Sequence, residues 1–174
     1  MSGMPVTVVA AMIWQQQRIL ICQRREIDPF PGKWEFPGGK VESGEEPRAA
    51  LGRELFEELG IRARIGEEVA QVEHQYPGNS LVHLLFFTVQ DFDGVPENRV
   101  FQQILWVSPQ ELSGFDFLEA DRPLIERIAG REFSPPAPRR GDRSRTAREG
   151  SAAEGSLNAT MQIEGEQENQ GETE

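Results

Sequence analysis

The chain has 174 residues and a mean hydropathy of −0.51, enough for one domain of ordinary size plus a polar excess. Its 29 acidic and 18 basic residues give a net charge of −11 at pH 7, which argues against a binder of duplex nucleic acid or of anionic membrane surfaces. A small phosphate-bearing substrate is compatible with this charge, because a metal ion and a few local arginines can reverse its sign at one site.

The first part of the chain predicts a β-hairpin. Val6–Trp14 is an apolar run rich in β-branched residues, Gln15–Arg18 is a polar turn, and Ile19–Cys22 is a second strand. Cys22 is the only cysteine, so an intrachain disulfide is excluded, and its apolar neighbours predict a buried thiol. We expect neither a signal peptide nor a membrane span, and a cytoplasmic location, because the N-terminus lacks a basic region and no apolar run is long enough.

The next stretch predicts a loop followed by a helix. Asp28–Gly32 contains two prolines and a glycine and predicts the loop. Ser43 and Glu46 match a capping box, so we expect the helix to start near Gly44. Apolar residues that recur every fourth position predict its buried stripe, and a glycine predicts a left-handed C-terminal cap; these are Leu51, Leu55, Leu59 and Gly60.

Three glutamates on this helix indicate a metal site. Glu54, Glu57 and Glu58 lie three and four residues apart and are therefore neighbours on one helix surface. Like charges at that spacing cost a helix about 0.2–0.5 kcal/mol per pair, and only Arg53 lies close enough to offset them. A hard cation among the carboxylates explains the pattern, and oxygen ligands select Mg²⁺, with Mn²⁺ as a substitute. The alternative is a charged, solvated helix face.

The second half of the chain predicts three more strands, a helical turn and a last helix. The predicted strands cover residues 63–75, 80–89 and 100–107, and the middle one is apolar on both faces and so central. Residues 76–79 predict a turn. Ser108–Glu111 matches a second capping box, and the last helix is expected over Ala120–Ala129.

From about residue 133 the composition changes, first to proline and arginine and then to glutamate with almost no aliphatic side chains. Such a segment buries too little apolar surface to offset its ordering entropy. We therefore expect a folded domain over residues 1–132 and a disordered tail over residues 133–174, and the sequence predicts no partner for that tail.

The stretch from residue 39 to residue 61 resembles the Nudix box, which is a glycine, five residues, a glutamate, seven residues, and then Arg-Glu-apolar-x-Glu-Glu-x-Gly-apolar. Every fixed position is matched, by Gly39, Glu45, Arg53, Glu54, Leu55, Glu57, Glu58, Gly60 and Ile61. The preceding W-E-F-P-G-G-K run is similar to that of the MutT-like branch of the Nudix family. This resemblance implies an α/β fold, the Nudix α/β/α sandwich with a mixed central sheet.

The resemblance also implies an activity. A MutT-like Nudix hydrolase cleaves a nucleoside triphosphate such as 8-oxo-dGTP to the monophosphate and pyrophosphate, with Mg²⁺ as cofactor. Glu54, Glu57 and Glu58 would then hold the metal with the carbonyl of Gly38, and Arg53 would pair with Glu45. One of the three glutamates, or Glu97, would activate the attacking water.

The resemblance assigns candidate substrate contacts as well. Arg24 matches a phosphate-contacting arginine, and Gly38 approaches the ligand closely through its backbone. Phe36, with Trp34, lines the base pocket or else belongs to the core. Asp121 stands where MutT carries a base-reading asparagine, and its alternative role is that of a helix N-cap.

Two other functions stay open from the sequence. One is a different Nudix substrate, namely ADP-ribose, (d)CTP or 5′-triphosphate RNA; Pro77 lies sixteen positions past Ile61, a spacing seen in ADP-ribose hydrolases. The other is a non-catalytic module that senses a nucleotide. Such modules usually lose box glutamates, whereas this chain keeps all of them.

Overall fold

The structure, a computed structural model, describes residues 5–78 and 81–133. It contains seven strands and two helices, which are β1 (Val6–Gln15), β2 (Arg18–Gln23), β3 (Trp34–Glu35), β4 (Gly38–Lys40), α1 (Pro47–Leu59), β5 (Arg62–Gln75), β6 (Leu81–Asp93), β7 (Gln103–Val107) and α2 (Arg122–Ala129). The expected disordered tail lies outside the described residues, apart from Phe133, and stays a prediction.

Strand β1 is the centre of a mixed sheet. It pairs in parallel with β6, from Val6 opposite Val82 to Ile13 opposite Val89. It pairs antiparallel with β4 near its start and with β2 at its end. Strand β2 extends the sheet through β3 and β7, and β5 covers the far edge of β6. The predicted mixed central sheet is therefore confirmed.

The two faces of the sheet bury two separate cores, because successive side chains of a strand point to opposite faces. Val9, Ala11 and Ile13 of β1 face α1, whereas Ala10 and Met12 face the side on which α2 packs. Helix α1 buries its predicted leucine stripe at 0% exposure, and each such side chain contributes about 1.5–3 kcal/mol to folding. One helix on each face is the expected α/β/α arrangement.

The expected start of the first helix is wrong by three residues. Helix α1 begins at Pro47, and Glu46 occupies the N-cap position without a side-chain capping hydrogen bond. Proline is favoured in the first turn because it lacks the N–H that would otherwise be unsatisfied there. The neighbouring carboxylate of Glu45 is engaged by the Glu42 amide at 3.1 Å and by Arg53. At the other end, Gly60 has the predicted left-handed conformation, with φ of 71°.

Other boundaries also differ from the expectation. Strands β3 and β4 lie in the stretch expected to be a connection, and β7 begins three residues late. The expected last helix divides into a 3₁₀ turn over Glu119–Asp121 and α2. The predicted pair at residues 108 and 111 is present, since the Glu111 carboxylate accepts the Ser108 amide at 2.7 Å. Among the described helices, neither is long and apolar enough to cross a membrane.

Candidate active site

Two adjacent glycines bring the loop before α1 into close contact with its neighbours. Gly38 has φ of 151°, and a Cβ atom there would lie 2.0 Å from the backbone oxygen of Val9. A Cβ atom on Gly39 would lie 2.4 Å from Cδ of Glu54. Both distances are far below van der Waals contact, so a side chain at position 38 would clash with backbone and one at position 39 would displace the Glu54 carboxylate. Glu54 rests directly against the loop backbone, and the predicted close approach of Gly38 to a ligand stays a prediction.

The carboxylate of Glu58 is bound to the same loop. Its Oε2 atom accepts a hydrogen bond from the amide of Gly38 over 3.0 Å. Burial, together with the negative charges of Glu35 and Glu54, raises the pKa of Glu58 to about 9, against the lowering effect of the Gly38 hydrogen bond and of Arg24. In the absence of a cation the protonated form is therefore favoured at neutral pH.

Arg53 organises the neighbouring carboxylates. It binds Glu45 through two nitrogens, each at 3.0 Å, and Glu54 at 2.8 Å. The pair of Glu45 and Arg53 that the family resemblance implied is therefore present. Hydrogen bonding to Arg53 lowers the pKa of Glu45. Glu57 lies at 3.5 Å from the same guanidinium, but its side chain is 56% exposed.

The donor chemistry of this region fits a hard divalent cation. Its candidate ligands are all oxygens, and a cation would relieve the cost of ionising Glu58 beside other carboxylates. The described residues nevertheless contain no group of three or more His, Cys, Asp or Glu side chains gathered into a ready metal site. Glu54 and Glu58 contact the loop, whereas the side chain of Glu57 is 56% exposed and lies 3.5 Å from Arg53, so the three carboxylates do not converge on one point in this structure. The metal role of Gly38, Glu54, Glu57 and Glu58 stays a prediction.

A second group of polar side chains lies on the other side of this loop. Arg24 binds both carboxylate oxygens of Glu35, at 3.0 and 2.8 Å, and its Nε atom donates to the carbonyl of Pro29. Its Nη2 atom has no partner among the residues that the structure describes. Arg24 is thus well ordered and retains two N–H donors, which is compatible with the predicted phosphate contact.

Asp121 is a buried carboxyl group beside this pair. It is 3% exposed, the only buried charged residue in the described part of the chain. Burial, followed by the negative charge of Glu35, raises the pKa of Asp121, while Arg24 acts in the opposite direction. Asp121 occupies the N-cap position of α2, yet no capping hydrogen bond from its side chain is found in the described residues. The N-cap alternative is therefore unsupported.

The predicted aromatic contacts are core residues in this structure. Phe36 is 3% exposed and packs against Phe86 and Phe117, with ring centroids 6.1 and 5.8 Å apart. Trp34 is 6% exposed and packs against Phe115 at 4.9 Å. Phe36 supports the loop from beneath, and its predicted contact with a base stays a prediction.

Glu97, the other candidate for activating water, lies at the C-terminal end of α1. Its amide donates to the carbonyl of Leu59 at 2.9 Å, and its carboxylate lies 3.6 Å from Arg99. Arg99 donates in turn to the carbonyl of Phe56 at 3.1 Å, close against Gly60. Glu97 is 68% exposed, so this carboxylate is free to move.

Glu35 is a site residue that the sequence reasoning did not select. Its side chain is 19% exposed, and burial raises its pKa despite the pairing with Arg24. The available signal was a glutamate between two large aromatic residues, Trp34 and Phe36, because an ionisable side chain inside an apolar run needs a partner.

Comparison with known proteins identifies relatives of this chain. The family model for the NUDIX domain matches residues 4–128. The chain is 41% identical over 132 residues to the CTP pyrophosphohydrolase of Escherichia coli K12, covering 76% of this chain and 97% of that protein. It is 38% identical over 111 residues to the 8-oxo-dGTP diphosphatase of Haemophilus influenzae, covering 64% and 81%. The crystal structure of the MutT protein from Methanosarcina mazei Go1 superposes with a TM-score of 0.67 at 25% identity, covering 74% and 95%.

Proposed function

This chain belongs to the Nudix family and is a Nudix nucleotide hydrolase, and on that premise we propose that it cleaves a nucleoside triphosphate to the monophosphate and pyrophosphate. The observation that carries the proposal is the position of the short segment around β3 and β4. It contributes Glu35 to a polar cluster with Arg24 and Asp121, and three residues later the Gly38 amide binds Glu58. We propose this polar cluster as the base pocket and the box glutamates as the phosphate side of the site, so that one segment joins the two.

In the proposed reaction a water molecule attacks phosphorus and the bond between the α- and β-phosphates is broken. The Gly38 amide orients Glu58, and Arg53 fixes Glu54 and Glu45. Arg24 offers its free N–H groups to phosphate oxygens. A glutamate of the box, or Glu97, accepts the proton that the attacking water loses.

Glu54, Glu57 and Glu58, with the carbonyl of Gly38, would hold a divalent metal ion, and we propose Mg²⁺ with Mn²⁺ as a substitute. When bound, the ion supplies positive charge that neutralises the phosphate oxygens. The side chain of Glu57 is 56% exposed, and the three carboxylates must move closer together for the ligand set to be complete.

The hydrogen-bonding chemistry of Asp121 is compatible with two kinds of base. An ionised carboxylate accepts only, which suits the adjacent donors of guanine and of its 8-oxo form. Burial raises the pKa of Asp121, so its neutral form, with one donor and one acceptor, also fits the cytosine edge. We therefore propose 8-oxo-dGTP as the first candidate substrate and CTP as the second. The Escherichia coli relative at 41% identity is a CTP pyrophosphohydrolase.

The test is turnover of a substrate panel by the purified protein. The panel contains 8-oxo-dGTP, dGTP, CTP, dCTP, ADP-ribose and 5′-triphosphate RNA, and the products are separated by ion-exchange chromatography. We expect a nucleoside monophosphate and pyrophosphate in Mg²⁺ and no turnover in EDTA. Release of orthophosphate, or a clear preference for ADP-ribose, would contradict the proposed reaction. Full turnover in EDTA would show that hydrolysis needs no divalent metal ion.

A further inference from the structure

Phe30 has an unusual backbone conformation in the loop between β2 and β3. Its φ is 56°, in the left-handed region that bulky residues rarely adopt. Hydrogen bonds hold it there, because the Lys33 amide donates to the Phe30 carbonyl at 3.3 Å and the Gly32 amide donates to the Arg24 carbonyl at 3.1 Å. Strained residues that their surroundings fix in this way occur at ligand clamps, so the position of the Phe30 ring requires an explanation.

A series of contacts connects the ring of Phe30 to the proposed base pocket. It packs on Tyr76 with centroids 4.7 Å apart at 40°. The hydroxyl of Tyr76 accepts a hydrogen bond from the amide of Ala120 at 3.4 Å, and Asp121 is the next residue. Tyr76 is 9% exposed and Phe30 is 38% exposed. Phe30 is therefore the outer member of the pair and is partly accessible to solvent.

A second route connects the same loop to Asp121. The Pro29 carbonyl, directly before Phe30, accepts a hydrogen bond from Nε of Arg24, and Arg24 binds Glu35. Glu35 and Arg24 are the charged groups that act on Asp121. Phe30 is therefore connected to the surroundings of the buried carboxyl group both through Tyr76 and through the neighbouring Pro29 and Arg24.

We propose that Phe30 is a substrate-contacting residue that stacks on the nucleobase while Asp121 reads the base edge. This inference rests on the proposed nucleoside triphosphate substrate and adds a contact to it. Every base has an aromatic face, so stacking raises affinity for purine and pyrimidine nucleotides alike and leaves the choice between them to the hydrogen-bonding groups. Phe30 therefore governs binding of the base and does not govern its identity.

The test is steady-state kinetics of Phe30→Ala with CTP and dGTP. We expect KM to rise by about 5- to 100-fold for both nucleotides, the loss measured when a stacked aromatic is replaced by alanine, with kcat close to that of the parent. Phe30→Tyr keeps the ring and should keep the parent KM, whereas Phe30→Leu should not. Ile27→Ala is the matched control, because Ile27 lies in the same loop, is 81% exposed and makes no ring contact.

Inhibition by inorganic tripolyphosphate distinguishes the loss of base stacking from disruption of the loop that contains Phe30. It has phosphates but no base, so its inhibition constant should be equal in the parent and in Phe30→Ala. An equal rise in this constant and in KM would overturn the inference, as would an unchanged nucleotide KM in Phe30→Ala. If the parent hydrolyses no nucleoside triphosphate, the proposed function fails together with this contact, whereas turnover with an unchanged KM refutes only the contact.

Discussion

The carboxylate of Glu54 fills the space that a side chain at position 39 would need, since a Cβ atom on Gly39 would lie 2.4 Å from Cδ of Glu54. The contact at Gly38 differs in kind, because a Cβ atom there would meet the backbone oxygen of Val9 at 2.0 Å. A glutamate side chain can rotate away, whereas a paired strand cannot move without breaking the sheet.

The two adjacent glycines are therefore expected to respond differently to alanine. Gly39→Ala should displace Glu54 and reduce kcat by at least about tenfold, with a stability loss of no more than about 1 kcal/mol. Gly38→Ala should unfold the domain or lower its Tm strongly, because the clash is with backbone. The measurements are thermal denaturation and kcat for both variants. A Gly39→Ala enzyme with parental kcat would show that the position of Glu54 does not matter for catalysis.

Removing one carboxylate of the box should abolish activity without harming the fold. Glu57 is 56% exposed and lies near like charges, so Glu57→Gln should leave the Tm of the metal-free protein unchanged or slightly higher. If Glu57 turns inward to a metal ion, the same change should lower kcat by about two orders of magnitude or more. Glu46→Gln, an exposed glutamate at the N-cap of the same helix, is the control and should behave like the parent.

The metal-free protein should lose stability as the pH rises. Glu58 has a folded-state pKa of about 9, above its usual value of 4.5 in an unfolded chain. The folded state therefore binds more protons than the unfolded state between these two pH values, so the free energy of unfolding falls as the pH rises through this interval. In EDTA, raising the pH from 6 to 9 should lower the Tm of the parent more than that of Glu58→Gln.

Glu126→Gln provides the control for this measurement, because Glu126 is an exposed residue of α2. Its Tm should follow that of the parent at every pH. Identical pH profiles for the parent and Glu58→Gln would show that Glu58 does not hold a proton in the metal-free fold.

Base preference should depend on pH through Asp121. Burial and the charge of Glu35 raise the pKa of Asp121, so at lower pH the neutral carboxyl group offers one donor and one acceptor. Ionisation at higher pH leaves acceptors only, which favours guanine. The ratio of kcat/KM for dGTP to that for CTP should therefore increase with pH in the parent, over the pH range in which Asp121 ionises. Asp121→Asn, which always has one donor and one acceptor, should give a flat ratio.

We compare the kcat/KM values of two substrates because titration of the groups that catalyse hydrolysis changes both values. That shared change cancels in their ratio. Parallel, sloping profiles in the parent and in Asp121→Asn would assign the pH dependence to another group. Flat profiles in both would remove Asp121 from base recognition.

Local sequence patterns predicted most of the strands and helices, whereas the α/β/α arrangement was implied by the family resemblance. The four-residue spacing of Leu51, Leu55 and Leu59 predicted the buried side of α1, and glycine at position 60 predicted its end, because both features depend on the helix alone. The start of α1 was mispredicted from Ser43. The capping box of Ser43 and Glu46 and the proline at position 47 are competing start signals, and the helix begins at Pro47.

The site was less predictable than the fold, because tertiary contacts determine it. The spacing of Glu54, Glu57 and Glu58 predicts one helix surface, but it does not predict that Glu57 turns outward toward Arg53. Glu35 acquires its role from Arg24, eleven residues away, and from burial by the aromatic residues around it. A repeating pattern of apolar residues cannot predict such a contact between residues of two different segments of the chain.

The two-sided sheet has a consequence for how this enzyme could evolve. Helix α1, with the box glutamates, packs on one face of β1, and the segment that carries Asp121 packs on the other. If Asp121 reads the base as proposed, substitutions on the second face can change which nucleotide is selected while the box glutamates are inherited intact. Divergence between pyrimidine and oxidised-purine specificity would then need only a few mutations, and Glu35, which acts on both Glu58 and Asp121, is the position where such drift would be most constrained.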